Sequence, residues 1–158
     1  MDQNKNLAEL LFPHIDKTPE YYEALYPQRQ LPEGARVTRF APSPTGYLHI
    51  GGLFGALVDV LTARSTGGVA YLRIEDTDKK REIDDGVSAI INGFDYFGVA
   101  FDEGVTGFGT EKGDYGPYTQ SHRAEIYQTV AKSLVEKGLA YPCFCTADEL
   151  SLIHISET

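Results

Sequence analysis

Apolar residues recur at helical spacing over Leu53, Ala56, Leu57, Val60 and Leu61, the i, i+3, i+4, i+7, i+8 pattern of an amphipathic helix with one core-facing stripe. Ahead of it, Val37 to Ala41 is a short β-prone run, and Pro42-Ser43-Pro44-Thr45-Gly46 is a stiff loop that neither helix nor strand accommodates. Gly67-Gly68 closes the helix, and Val69 to Ile74 reads as a second strand. Strand, loop, helix and strand within about forty residues form a βαβ unit, whose crossover is right-handed and whose strands are parallel.

The pattern continues with a second amphipathic helix through Ile83, Val87, Ile90, Ile91, Phe94 and Phe97. A short segment, Val99-Ala100-Phe101, follows, and Gly104 to Gly116 reads as a glycine-rich loop. Tyr127, Val130, Ala131, Leu134 and Val135 predict a third helix, with Lys137 in its last turn and Gly138 just past its end. Leu139 to Cys145 reads as extended, and Thr146-Ala147-Asp148-Glu149 is a capping box announcing another helix. The first 35 residues form a helical extension. Leu7, Leu10, Leu11 and Phe12 make a short amphipathic turn, and Thr18-Pro19 opens a helix that carries Tyr21, Tyr22 and Leu25. The fold class is α/β.

Composition narrows the function classes. The chain has 158 residues, no run of eighteen apolar residues and no leader of secretory type, so the expected setting is cytoplasmic. Two cysteines, Cys143 and Cys145, make no disulfide framework. With 14 basic against 23 acidic residues the net charge is −9, so the chain does not advertise nucleic-acid binding by charge.

Candidate chemistry concentrates in Arg39-Phe40-Ala41-Pro42-Ser43-Pro44-Thr45-Gly46-Tyr47-Leu48-His49-Ile50-Gly51-Gly52. Prolines stiffen the turn after the first strand, and Gly46 lets the chain reverse. His49 arrives at the helix start, where free N–H groups and the positive helix end suit a phosphate. Taken as pattern alone, the same run is equally a tight connection with His49 as a cap or surface residue.

This run resembles the first signature of class I aminoacyl-tRNA synthetases, and Arg39 to Gly46 is similar to glutamate–tRNA ligases in particular. Four further segments agree in order and spacing: Leu72 to Asp78, Phe101 to Gly104, Gly116 to Ser121, and Ala140 to Thr146. The resemblance covers residues 36–150 and implies the N-terminal half of a Rossmann-like, parallel-sheet catalytic domain, truncated before the second ATP-gripping signature. Pro42-Ser43-Pro44-Thr45 differs from the Pro-Glu-Pro-Asn of glutamine-specific relatives. The long connection from Gly104 to Pro117 speaks against the related glutamyl-queuosine tRNA-modifying enzyme. Leu150 to Glu157 matches the translation of a library-preparation adapter, so residues 151–158 are read as a non-native tail.

What the resemblance implies is ATP-dependent attachment of glutamate to tRNA through a glutamyl adenylate, with Mg2+ accompanying ATP. His49 would be the catalytic donor to ATP phosphate oxygens, and Pro44, Thr45, Gly46, Gly51 and Gly52 would join it in binding ATP. Arg39, Ala41 and Ser43 would line the glutamate pocket, with Glu75 accepting the substrate ammonium. The partners implied are tRNA, ATP and L-glutamate, and this stretch alone is expected to be inactive.

Other readings stand beside these. Arg39 and Glu75 are also a plain cross-strand ion pair, and Asp76-Thr77-Asp78, which invites a DxD metal reading, is better taken as a solvated charged turn. Tyr118 and Ser121 are candidate substrate contacts, with Ser121 alternatively an N-cap of the third helix. Cys143 and Cys145 offer half a zinc site without two further ligands, so they are read as strand residues and no metal site is assigned. The competing function classes are a non-catalytic ATP- or glutamate-binding protein and a DxD-dependent nucleotide-sugar transferase.

Overall fold

The computed structural model describes residues 2–81 and 83–150. The chain divides into two compact units, one of Glu20–Tyr127 and one of Met1–Pro19 with Gln128–Thr158. The tail read as non-native, 151–158, lies outside the described residues.

In the larger unit the βαβ motif forms as the periodicity predicts: β1 (Val37–Phe40), α3 (Ile50–Thr66) and β2 (Val69–Leu72), preceded by α2 (Pro19–Leu25) and, in the smaller unit, α1 (Asp2–Leu11). β1 and β2 pair in parallel, Val37 opposite Val69 through Phe40 opposite Leu72. Gly67 ends α3 in the left-handed region at φ 68°. Gly68 then passes so close to Arg36 that a Cβ would stand 1.9 Å from its carbonyl oxygen. Among the described residues the sheet order is β1, β2, β3 (Glu103–Gly107) and β4 (Thr110–Lys112), which leaves β1 at an edge.

The face that α3 turns to the sheet corrects the predicted stripe. Ala56, Val60 and Ala63 are buried against Ala70 and Leu72, whereas Leu57 and Leu61 are 40% and 53% exposed. Phe54 and Val58 are exposed as well. The helix is apolar on nearly every side, so period alone does not select a face, and the small alanines lie where helix and sheet approach most closely.

Two further expectations are corrected. The second amphipathic helix, α4 (Gly86–Tyr96), begins after Ile83, and Phe97 lies beyond its end, exposed. Gly86 sets the start, because a Cβ there would meet the Pro44 carbonyl at 2.7 Å. The supposed loop of Gly104 to Gly116 holds β3 (Glu103–Gly107), parallel to β2, and β4 (Thr110–Lys112), antiparallel to β3. Gly104 has φ 125°, and a Cβ on it would lie 2.2 Å from the Leu72 carbonyl oxygen. That glycine reports a close strand approach, not a turn.

Core residues Leu72, Ile74, Ile90, Phe94, Val105 and Tyr118 join α3, α4 and the sheet. At the start of β3, in register with Tyr71, the Glu103 carboxylate receives both Arg29 Nη atoms, at 2.5 and 2.6 Å, and the Tyr118 hydroxyl at 2.6 Å. Arg29 lies 3.7 Å over the Tyr115 ring, whose hydroxyl donates to the Pro27 carbonyl. The Arg29 bonds, opposed by burial and aided by Tyr118, hold the Glu103 carboxyl below its ordinary value. Burial and Glu103 together drive the Tyr118 hydroxyl upward.

A 3-10 helix (Gln120–Arg123) leads into α5 (Ala124–Glu136), most of which belongs to the smaller unit. On α5 the buried positions are Thr129, Ser133 and Val135, while Tyr127, Val130 and Leu134 of the predicted stripe are exposed. Lys137 lies one residue beyond α5, and Gly138 follows it at φ 70°, its N–H bonded to the Val135 carbonyl and that of Leu139 to Leu134. In the smaller unit Lys132 Nζ is 2.7 Å from Glu9 Oε1 and donates to the Ile15 carbonyl. Leu139 to Cys145 joins no ladder, so Cys143 and Cys145 are exposed loop residues and not strand residues. The capping box forms: the Thr146 N–H donates to Glu149 Oε2, and the Glu149 N–H to Thr146 Oγ1.

Two outcomes follow from this packing. Gly104→Ala should cost about 3 kcal/mol or more, read as a lowered urea midpoint. Because the folded pKa of Glu103 is depressed, its stabilisation is complete above the ordinary 4.5 and is lost as pH falls through the folded value. Glu103→Gln should therefore flatten stability against pH below 4.5, measured by urea unfolding at several acid pH values.

Candidate functional site

β1 carries its alternation past its last paired residue. Arg39, Ala41 and Ser43 follow at i, i+2 and i+4 on one face, while Phe40 turns the other way and meets Phe94 edge-on at 5.6 Å. Hydrogen bonding extends the pairing beyond the strands, since Arg73 N–H donates to the Phe40 carbonyl and Glu75 N–H to that of Pro42. This extension brings Glu75 beside Arg39, with Oε1 3.5 Å from Arg39 Nη1 and 3.1 Å from Arg73 Nη2. The cross-strand ion pair weighed from sequence is therefore present, with Arg73 as an additional partner. Near the same arginine, burial pushes the Asp59 carboxyl up while the Arg39 charge draws it down.

His49 is the N-cap of α3. Its Nδ1 accepts from the Gly51 N–H at 3.1 Å and the Gly52 N–H at 3.3 Å. Those two donors are thus engaged by the imidazole and not free, as the anion-binding argument from sequence had them. A neutral ring that accepts at Nδ1 carries its proton on Nε2, leaving one N–H donor for a ligand. Gly51 serves this cap, because a Cβ would lie 3.1 Å from the His49 ring.

A cleft of about 270 Å3 lies beside that cap, walled by Ser43, Thr45, Gly46, His49 and Gly52 with Phe40, Leu48 and Ile90 among its apolar neighbours. It gathers five of the residues singled out from the motif. Pro44 is fully buried instead, its carbonyl accepting the Ile83 N–H. Gly51 faces solvent on the first turn of α3, and Arg39, Ala41 and Glu75 are not among the cleft's walls.

Asp76 corrects the picture of a solvated turn. It is 7% exposed and accepts from the Ser121 N–H at 2.8 Å, Ser121 Oγ at 2.6 Å and Lys79 Nζ at 3.1 Å. Burial raises its pKa, but the Ser121 and Lys79 bonds outweigh it and hold the carboxyl below its ordinary value. Ser121 accordingly lies inside the 3-10 helix and tethers Asp76 in place of capping α5, while Tyr118 is buried against Glu103. Asp78 pairs with Arg81. The described residues contain no group of three or more His, Cys, Asp or Glu arranged to hold a metal. The neighbouring Cys143 pushes the Cys145 thiol above its ordinary value.

Sequence reasoning missed Arg73 and the apolar walls. Arg73 stands two residues before Glu75 in an extended run, and that spacing places both on one face. Leu48 and Ile90 gave no local signal, since only the tertiary packing of α4 on the loop brings them together.

Comparison with known proteins agrees with this geometry. The family described as "tRNA synthetases class I (E and Q), catalytic domain" matches residues 36–157. Over 150 residues the chain is 56% identical to the glutamate–tRNA ligase of Clostridium perfringens (strain 13 / Type A), covering 95% of this chain and 28% of that one. The glutamate–tRNA ligase of Acetivibrio thermocellus is 57% identical over 151 residues, with the same coverages. The crystal structure of a glutamate tRNA ligase from Elizabethkingia meningosepticum in complex with its amino acid superposes with a TM-score of 0.64 at 40% identity, over 78% of this chain and 24% of that one. The chain thus spans between a quarter and a third of the curated relatives' length, 28% in both cases. No helix among the described residues is long and apolar enough to cross a membrane. With the motif, the parallel βαβ frame and these matches in agreement, the chain belongs to the class I tRNA synthetases of the E and Q group and carries part of their catalytic domain.

Proposed function

We propose that this chain supplies the glutamate- and ATP-facing part of a cytoplasmic glutamate–tRNA ligase. The observation that carries the reading is the Arg39–Glu75 pair, which links the end of β1 to the run just past the paired part of its parallel neighbour β2. A cation and an anion facing each other suit one carboxylate and the ammonium of glutamate. Arg39 would take a substrate carboxylate and Glu75 the ammonium, while Arg73 keeps Glu75 in place. In the free protein the two side chains pair with each other, so glutamate enters by exchanging one ion pair for two.

In this reading an oxygen of the glutamate α-carboxylate attacks the α-phosphorus of ATP, the bond to the bridging oxygen breaks, and pyrophosphate leaves. The 2′-hydroxyl of the terminal tRNA adenosine then attacks the acyl carbon and AMP departs. Mg2+ enters as the counter-ion of ATP. The chain's own contribution is positioning and charge stabilisation, with His49 Nε2–H donating to a phosphate oxygen as negative charge builds. Ser43, Thr45, Gly46 and Gly52 line the space beside it.

The test is a chimera in which residues 1–150 replace the matching stretch of the C. perfringens ligase. Pyrophosphate exchange into ATP that requires both glutamate and tRNA is expected, with none from the 158-residue chain alone. A folded chimera that binds ATP but forms no adenylate would refute the assignment. Within the active chimera, Arg39→Ala should raise the KM for glutamate while leaving that for ATP near its starting value. His49→Ala should lose the cap, about 1 kcal/mol of stability, as well as activity. His49→Asn keeps an acceptor for the cap but no Nε2 donor, so its unfolding midpoint should hold while adenylate formation falls about a hundredfold.

A further inference from the structure

A second cavity, of about 240 Å3, has Tyr26, Arg29, Tyr71, Arg73, Tyr115 and Arg123 among its walls. Three guanidinium groups border one small space, and their partners divide unequally. Arg29 is committed to Glu103 through both Nη atoms and lies flat over Tyr115. Arg73 spends Nη2 on Glu75. Arg123 donates Nη1 to the Pro117 carbonyl at 2.7 Å and has no carboxylate partner among the described residues. In both Arg73 and Arg123 the Nε–H is buried without an acceptor.

Buried donors of this kind call for a bound group, because an unsatisfied N–H costs the desolvation it has already undergone. Arg123 also brings a charge that a neutral occupant would leave uncompensated. With Nη1 engaged, its free side is the Nε/Nη2 edge, whose two parallel N–H bonds match the oxygen spacing of a phosphate or carboxylate group. The carboxylates bonded to the cavity's other two arginines, Glu103 and Glu75, already serve Arg29 and the Arg39–Arg73 pair. The complementary acceptor must come from outside.

We propose that this cavity is a binding site for a phosphate-sized oxyanion, gripped by the Nε/Nη2 edge of Arg123 with the Arg73 Nε–H and bordered by tyrosine rings. The site is separate from the His49 cleft, with which it shares no wall residue. Its occupant would tie the segment at Tyr26 and Arg29 to the end of β2 and to the 3-10 helix, so binding stabilises the fold of the larger unit.

The experiment follows the arginine Nε–H resonances of the 158-residue chain while inorganic phosphate replaces chloride at constant ionic strength. The Arg73 and Arg123 signals should move together along one saturating curve. Arg123→Gln should weaken the curve read at Arg73 about tenfold or more, and Arg123→Lys, which keeps the charge but not the planar edge, should do the same. The amide spectrum of each variant checks its fold, and the wild-type curve needs no variant. Linear drift without saturation in the wild type, or a midpoint at Arg73 unchanged in both natively folded variants, would overturn the proposal.

Discussion

The larger unit hangs on the Glu103 carboxylate. Its two oxygens hold the Arg29 guanidinium and the Tyr118 hydroxyl, all three groups largely shielded from water. Bonds in which donor or acceptor is ionised are about twice as strong as neutral ones, and this carboxylate accepts three. Through Arg29 it holds the segment ahead of β1, and through Tyr118 it fixes the chain that follows β4. The Tyr118 carbonyl in turn accepts the Ile74 N–H, and the Ile74 carbonyl accepts the Gln120 N–H, which prolongs the sheet toward Glu75 and Asp76. A carboxylate at the start of β3 thereby orients residues at the mouth of the candidate glutamate site.

His49 imposes a second constraint, at the start of α3. One ring both starts α3 and presents the donor proposed for ATP. Acceptance at Nδ1 and donation at Nε2 are the two halves of a single neutral tautomer, so the helix start selects the form that the proposed role needs. The two neighbouring glycines are part of that arrangement, one by admitting the ring and one by packing under Leu48.

Much of this was legible in the chain. The βαβ order, the glycine closures at Gly67 and Gly138 and the capping box at Thr146 all follow from local rules that tertiary contacts leave intact, whereas Ser43, grouped from the resemblance with Arg39 and Ala41, lines the His49 cleft without them. The failures share a cause. Gly104 looks like a loop residue in one dimension and is a strand residue pressed against Leu72 in three. The inward faces of α3 and α5 use Ala63, Thr129 and Ser133, which a count of large apolar residues passes over. Asp76 reads as solvated because it stands in a run of charges, and only the 3-10 helix 45 residues later supplies the two Ser121 donors that bury it.

The position of β1 at the sheet edge carries a consequence for how the chain behaves among copies of itself. Outward amide and carbonyl groups of a strand at the edge of the described sheet are adhesive, and α3 exposes Phe54, Leu57, Val58 and Leu61. What opposes contact is the repulsion of molecules that each carry a net charge of −9. That repulsion reaches only about 10 Å at 0.1 M salt and about 3 Å at 1 M, whereas apolar contact is not screened by salt. Solutions of the 158-residue chain are therefore kept dispersed by a long-range force that dissolved salt removes, and concentrating them in brine favours cohesion over dispersal.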